Sequence, residues 1–243
     1  MDQKLLGPIA IALSVVIATF ILANAWTDTH PGVEKIRVTG FAETDFTSDL
    51  IVWRASFVRK GMTVSEAYPL IKQDAEIVLN YLREKGLTEK EIVLGAIDIN
   101  KEFKSVRTEE GGYQNIFDGY RLWQSVEIQS GNVDKIETVS REISELLNRG
   151  VELNSQTPEY YYTKLTELKI DLLQRAAKDG KDRAQALADH GGGSLGRLGK
   201  AEMGVFQITA QNSSEEYTWG GAFNTTAKNK TASITARMEF DVK

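Results

Sequence analysis

The sequence predicts an α+β fold: two β-α-β-β units with antiparallel sheets and packed helices, joined by a helix, after an N-terminal transmembrane helix. Three observations carry this. Residues 49–60 alternate, with Ile51, Trp53, Ala55 and Phe57 on one side and Val52, Arg54, Ser56 and Val58 on the other, which is the period of a strand. Three stretches, 63–85, 133–149 and 165–190, repeat apolar residues at helical spacing. The order strand, helix, strand, strand occurs twice, and antiparallel sheets covered by helices satisfy it. The two halves share this pattern and no visible sequence identity.

The chain begins with a membrane signal. Leu5 to Ala25 is twenty-one residues without a charged side chain, and at 1.5 Å per residue such a helix crosses a hydrocarbon core of about 30 Å. Pro8 lies in its first turns, where a missing N–H costs little. Trp26 follows at the position of an interfacial aromatic. Ala23-Asn24-Ala25 also fits a signal-peptide cleavage site, but a signal's apolar stretch spans about 7–15 residues. The length favours an uncleaved anchor; cleavage near Ala25 and secretion to the periplasm is the alternative. A buried core helix would show a polar face, and this run has none. Lys4 precedes the run and Asp28 and Glu34 follow it, so the positive-inside bias leaves the bulk of the chain outside the inner membrane. The expected organisation is an anchor or signal peptide over 1–26, a linker with Pro31-Gly32 over 27–34, and a domain over 35–243.

The remaining elements follow in order. Residues 35–41 read as a strand, then 49–60. Thr63-Val64-Ser65-Glu66 is a capping box opening a helix to about Lys85, with Val64, Ala67, Ile71, Ala75, Val78 and Leu82 as its buried stripe. Pro69 predicts a kink, or a start near that residue. Gly86 ends the helix, and Thr88 to Glu91 is a single turn or small cap. Residues 92–106 and 120–129 are strands, with Glu109, Glu110, Gly111 and Gly112 in the connection 108–119. Asn132 caps a helix over 133–149 that buries Val133, Ile136, Val139, Ile143, Leu146 and Leu147, and Gly150 ends it. Residues 151–163 are extended and carry Tyr160-Tyr161-Tyr162. The helix 165–190 places Ala176, Gly180, Ala184 and Ala188 on one face, shallow enough for close packing on a sheet or on a helix of another subunit. Gly191 to Gly193 end it. Strands 198–211 and 231–242 close the chain around a polar loop, 212–229.

Composition excludes several chemistries. The net charge of −5 speaks against a nucleic-acid binder. The absence of cysteine removes disulfides, thiolate metal sites and cysteine nucleophiles. With His30 and His190 far apart in sequence and no cysteine, no metal site and no cofactor are expected. Glu109-Glu110 reads as a solvated hairpin tip. Gly192-Gly193-Ser194-Leu195-Gly196 matches the nucleophile-elbow pattern, yet the elbow needs strand before and helix after, and here the order is reversed. The same order rejects Gly191, Gly193 and Gly196 as a dinucleotide fingerprint. Asn212, Asn224 and Asn229 open glycosylation-type sequons of the kind that arise by chance in polar loops. The tyrosine run is more simply core than ligand wall. The loop aromatics Tyr217, Trp219 and Phe223, set among glycines and serines, are the better interaction candidates, because exposed aromatics are costly without a partner.

The alanine-spaced helix, its glycines and Leu195-Gly196-Arg197-Leu198-Gly199-Lys200 resemble the C-terminal signature of the SIMPL-domain family. Ala232 to Val242 looks like that family's closing strand, and Ile36-Arg37-Val38-Thr39-Gly40-Phe41-Ala42 like its opening strand. There are departures: Ser48-Asp49-Leu50-Ile51 stands where members often carry a Pro-Asp-x-Ala turn, and Gly180 where alanine is more usual. The resemblance covers roughly 35–243. It implies an envelope protein, with ring-like or cage-like oligomers in some members and a link to envelope or oxidative stress, and it supplies no reaction. The expectation is a non-catalytic, membrane-tethered homo-oligomer, or one with an envelope protein partner. The alternative is a small-molecule or lipid-binding module, which would show a closed apolar pocket with convergent polar groups. An enzyme would need titratable groups gathered in a cleft.

Overall fold

A computed structural model describes residues 12–24, 34–109, 111–215 and 218–243. Its elements are helix α1 (12–24), strands β1 (Lys35–Thr47) and β2 (Leu50–Gly61), helix α2 (Val64–Glu84), strands β3 (Ile92–Arg107) and β4 (Tyr113–Ser130), helix α3 (Val133–Glu142) with a 3-10 segment (Ile143–Arg149), strands β5 (Leu153–Ser155) and β6 (Glu159–Tyr161), helix α4 (Leu165–His190), and strands β7 (Leu195–Met203), β8 (Gln207–Ala210) and β9 (Asn229–Val242). One sheet runs β3-β4-β2-β5 with β6 also on β2; the other runs β1-β9-β7 with β8 also on β9. β2 pairs antiparallel with β4, β5 and β6, β3 with β4, and β7 and β8 with β9. The chain divides into two compact units.

The larger unit comprises 42–175 and 204–235. Its core forms where α2 and α3 cover β2 and β4, around Trp53, Phe57, Ile71, Val78, Tyr81, Leu122, Ile128, Ile136 and Leu146. The Thr63–Glu66 capping box is complete, so α2 begins at Val64 and runs through Pro69 rather than starting there. Its buried face is staked by an ion pair: Asp74, 1% exposed, receives Arg59 Nε at 2.5 Å and a terminal guanidinium nitrogen at 2.7 Å, and that same nitrogen reaches Gly150 O at 2.7 Å. Asn132 caps α3 by accepting from Lys135 N. The helix then tightens into the 3-10 segment, which turns Leu147 outward (53% exposed) instead of inward, and Gly150 at φ 81° ends it.

The smaller unit comprises the described residues up to Phe41 with Ala176–Met203 and Ala236–Lys243. Here the small-residue face of α4 lies on β1 and β9. Ala176, Gly180, Ala184 and Ala188 are all buried, and a Cβ on Gly180 would fall 2.1 Å from Met238 Cε. Gly191 N and Gly193 N return to Leu187 O and Ala188 O, and Gly192 at φ 82° turns the chain, as the triple glycine predicts.

Three expectations need correction. Residues 151–163 do not start a second β-α-β-β unit. They form two three-residue strands, both on β2, separated by a segment with Pro158, which lacks a ladder donor; β1 takes the expected place in the second sheet. The strand expected over 198–211 is two. Its register against β9 slips by one residue after Met203↔Ala236, and Gly204 is pressed so close to Thr235 that a Cβ would lie 2.1 Å from its Oγ1. The connection 108–119 is mostly strand: β4 begins at Tyr113, and the turn is Thr108 to Gly112. The anchor expected over 5–25 lies partly outside the described residues; its described part, 12–24, is a helix of exposed side chains. No helix among the described residues is long and apolar enough to cross a membrane.

Candidate interaction surfaces

The polar loop is built around one buried amide. Gln207, 7% exposed at the start of β8, donates from Nε2 to Thr218 O at 2.9 Å, while its Oε1 accepts from Ala222 N at 2.6 Å. Both sides of the loop are thereby fixed to one side chain. Gly221 N closes the turn onto Thr218 O at 3.1 Å. Gly221 sits at φ 92°, and a Cβ there would lie 2.9 Å from Phe206 O, so the turn requires glycine. At the tip Trp219 is 100% exposed, the most of any large apolar side chain among the described residues. Phe223, 53% exposed, is bridged to Ile208. Tyr217, the third aromatic of the predicted loop, lies outside the described residues.

The second surface was not read from the sequence. β2 supports β4 only as far as Gly61↔Tyr120. Beyond that point β3 and β4 continue as a free two-stranded arm to the turn at Thr108–Gly112, with Phe103↔Phe117, Lys104↔Ile116 and Val106↔Gln114 paired. Val106, Tyr113, Ile116, Phe103 and Phe117 are exposed on it. The rings of Phe103 and Phe117 meet edge-on at 5.9 Å, and Phe117 meets Tyr120 at 5.4 Å. Polar contacts anchor its base. Lys60 Nζ bridges Asp118 (2.5 Å) and Glu102 (3.0 Å), and Arg121 reaches Glu102 at 3.4 Å. Hydrogen bonding from the Lys60 ammonium holds both carboxyls below the usual range and raises Lys60 above its own. Gly119, at φ 106°, lets the arm leave β2: a Cβ there would lie 2.6 Å from Gly61 O.

One comparison decides what kind of chain this is. The family SIMPL, described as a protein of unknown function (DUF541), matches residues 36–241. The chain belongs to the SIMPL family. No curated protein matches it.

The residues of this SIMPL chain that match a nucleophile-elbow pattern bond to nearby backbone. Ser194 follows α4 and precedes β7, and its Oγ donates to Lys243 O at 3.3 Å. His190 Nδ1 lies 2.9 Å from Ala186 O, in its own helix. Among the described residues no three His, Cys, Asp or Glu side chains gather around a metal-sized space; His30 lies outside the described residues. Tyr160 is buried, and Tyr162 stacks on Phe46 at 4.8 Å. Two grooves open on the smaller unit. One, of about 430 Å³, is lined by charged residues including Arg37, Lys200, Glu202 and Arg237. The other, of about 540 Å³, is lined by Val38, Thr39, Arg183, Ala186, Leu187 and His190.

Proposed function

We propose that this SIMPL chain is a membrane-tethered domain that acts outside the cytoplasm, without catalysis, by assembling with copies of itself. The observation that carries the reading is the β3–β4 arm. A two-stranded ribbon without a third strand or a covering helix is marginal in water. This one continues well past its last β2 partner with aromatic and aliphatic side chains in solvent. Long apolar edges of this kind are a liability unless a partner covers them. A second copy is a partner always present at the same concentration. Tethering rests on the uncharged stretch Leu5 to Ala25, and an envelope partner or a stress role on the family resemblance alone.

The test is the mass of the full chain in detergent and of residues 27–243 in buffer, by light scattering, with Phe103→Ser/Phe117→Ser beside the parent. Both side chains are exposed, so the substitution spares the core. The expected result is a discrete mass several times that of one chain, falling to one chain in the double variant. A monomeric parent, or a double variant of unchanged mass, refutes the reading.

A further inference from the structure

We propose that Trp219 seats in the groove between β1 and α4 of a second copy, so that each copy offers a knob to one neighbour and a groove to another. This rests on the self-assembly reading. Trp219 is presented rather than merely left outside: buried Gln207 holds both sides of its turn, Gly221 closes it, and the indole is fully exposed, so its own chain does not cover it. An anchored, aromatic, uncovered tip is what an interface hot spot looks like before its partner arrives.

The groove matches that tip in three respects. Its space of about 540 Å³ admits an indole with the residues beside it. Its floor is apolar, from Val38, Ala186 and Leu187, and Leu187 is 56% exposed although it sits on a packed helix. Its remaining lining includes a guanidinium and an imidazole, the groups that stack on an indole face: Arg183, held through Nε by Asp179 at 2.8 Å, and His190. Charge agrees. Residues 211–227 carry Glu215 and Glu216 and no basic side chain, whereas the charged residue lining the groove is Arg183. Because knob and groove are different surfaces, the contact is heterologous and generates a ring or a filament, not an isolated two-fold dimer.

The absence of cysteine makes a direct test possible. Two differently tagged full chains are co-expressed, one with Gly220→Cys and one with Ala186→Cys, so Trp219 and Leu187 stay in place. A Cβ at position 220 meets nothing within 4 Å, so the change is tolerated. Oxidation in detergent is expected to join the two tags by a disulfide. The yield is expected to fall at least tenfold when Trp219→Ala is added to the first chain or Leu187→Glu to the second, with circular dichroism unchanged. An assembly seen by light scattering that gives no mixed disulfide overturns this contact and leaves self-assembly standing; so does a disulfide indifferent to Trp219→Ala, which would mean another occupant holds the groove. Monomers throughout overturn both.

Discussion

Gly40 and Gly180 face each other in the smaller unit, and the same substitution should behave very differently at the two. A Cβ on Gly40 would lie 2.0 Å from Ala176 O, 2.6 Å from Gly180 N and 2.9 Å from Gly180 Cα. All three are backbone atoms of α4, and no rotamer relieves them. Strand and helix must separate, which undoes the close packing that the small-residue face exists to make. Overpacking typically costs about 1–3 kcal/mol, and a clash with backbone belongs at or above the top of that range. A Cβ on Gly180 meets Met238 Cε at 2.1 Å, then Gly40 N and Cα at 3.2 and 3.3 Å. The first is the tip of a flexible thioether that can swing aside. The others ask for a few tenths of an ångström. Replacing a mid-helix glycine by alanine returns about 1 kcal/mol.

Gly40→Ala should therefore cost about 3 kcal/mol or more, and Gly180→Ala should stay within about 1 kcal/mol of the parent. Urea unfolding followed by circular dichroism reads the difference. With a slope of about 2 kcal/mol per molar, the first variant moves the midpoint down by roughly 1.5 M, and the second moves it little. Met238→Leu, which shortens the colliding tip, should recover whatever Gly180→Ala loses. A Gly40→Ala protein unfolding at the parent's midpoint, or a Gly180→Ala protein as damaged as Gly40→Ala, would show that the helix does not press on β1 as described.

Three further outcomes are expected. Arg59→Met strands the buried Asp74 carboxylate and should destabilise by about 3–5 kcal/mol, whereas adding Asp74→Leu should recover most of the loss; denaturant midpoints of the two variants and the parent decide it. Lys230 is 2% exposed and donates to Tyr160 O, and burial lowers its pKa from 10.5 to about 8. The unfolded chain thus binds the extra proton between about pH 8 and 10.5, so this residue's penalty is full below about 8 and fades as pH rises. At roughly 1.4 kcal/mol per pH unit the change reaches ~3.5 kcal/mol at most. The stability difference between Lys230→Met and the parent should shift in the parent's favour from pH 7 to 10.5, and a difference constant with pH contradicts the burial argument. Thr63→Ala removes one half of the capping box on α2 and should cost about 1 kcal/mol by thermal or urea unfolding.

What the sequence made legible divides along the reach of its signals. Periodicity and caps are local, so α2 from its Thr63 cap, α4 from Leu165 to His190 and β2 from its alternation were all readable. Partner choice is not local. Residues 151–163 have an extended composition whichever sheet they join, and only the fold places Leu153–Ser155 and Glu159–Tyr161 on β2. The arm escaped for a related reason. Gln114, Asn115, Asp118 and Gly119 look like connection, because a ribbon solvated on both faces has no buried side to impose alternation. Trp219 and Phe223 stood out as aromatics among small residues. Gln207, which gives them their geometry, had no signal at all: a glutamine in a strand reads as polar surface until the loop it serves is seen to return.

That glutamine and Lys60 bear on how the two apolar surfaces should be understood. Exposed aromatics on a slack loop would lose their freedom at the moment of association, and that entropy would subtract from affinity. Here polar side chains hold the aromatics in place before any partner is present: one amide spans the base of the Trp219 turn, and one ammonium spans two carboxylates where the arm leaves the sheet. Neither device improves the core, and each stiffens a segment whose own side chains bury little. In a protein that only had to stay folded, such segments would be better short and polar. Such anchoring would favour docking, and the proposed interfaces lie at these two places rather than in the glycine-rich turn after α4, whose serine and histidine are engaged with backbone carbonyls.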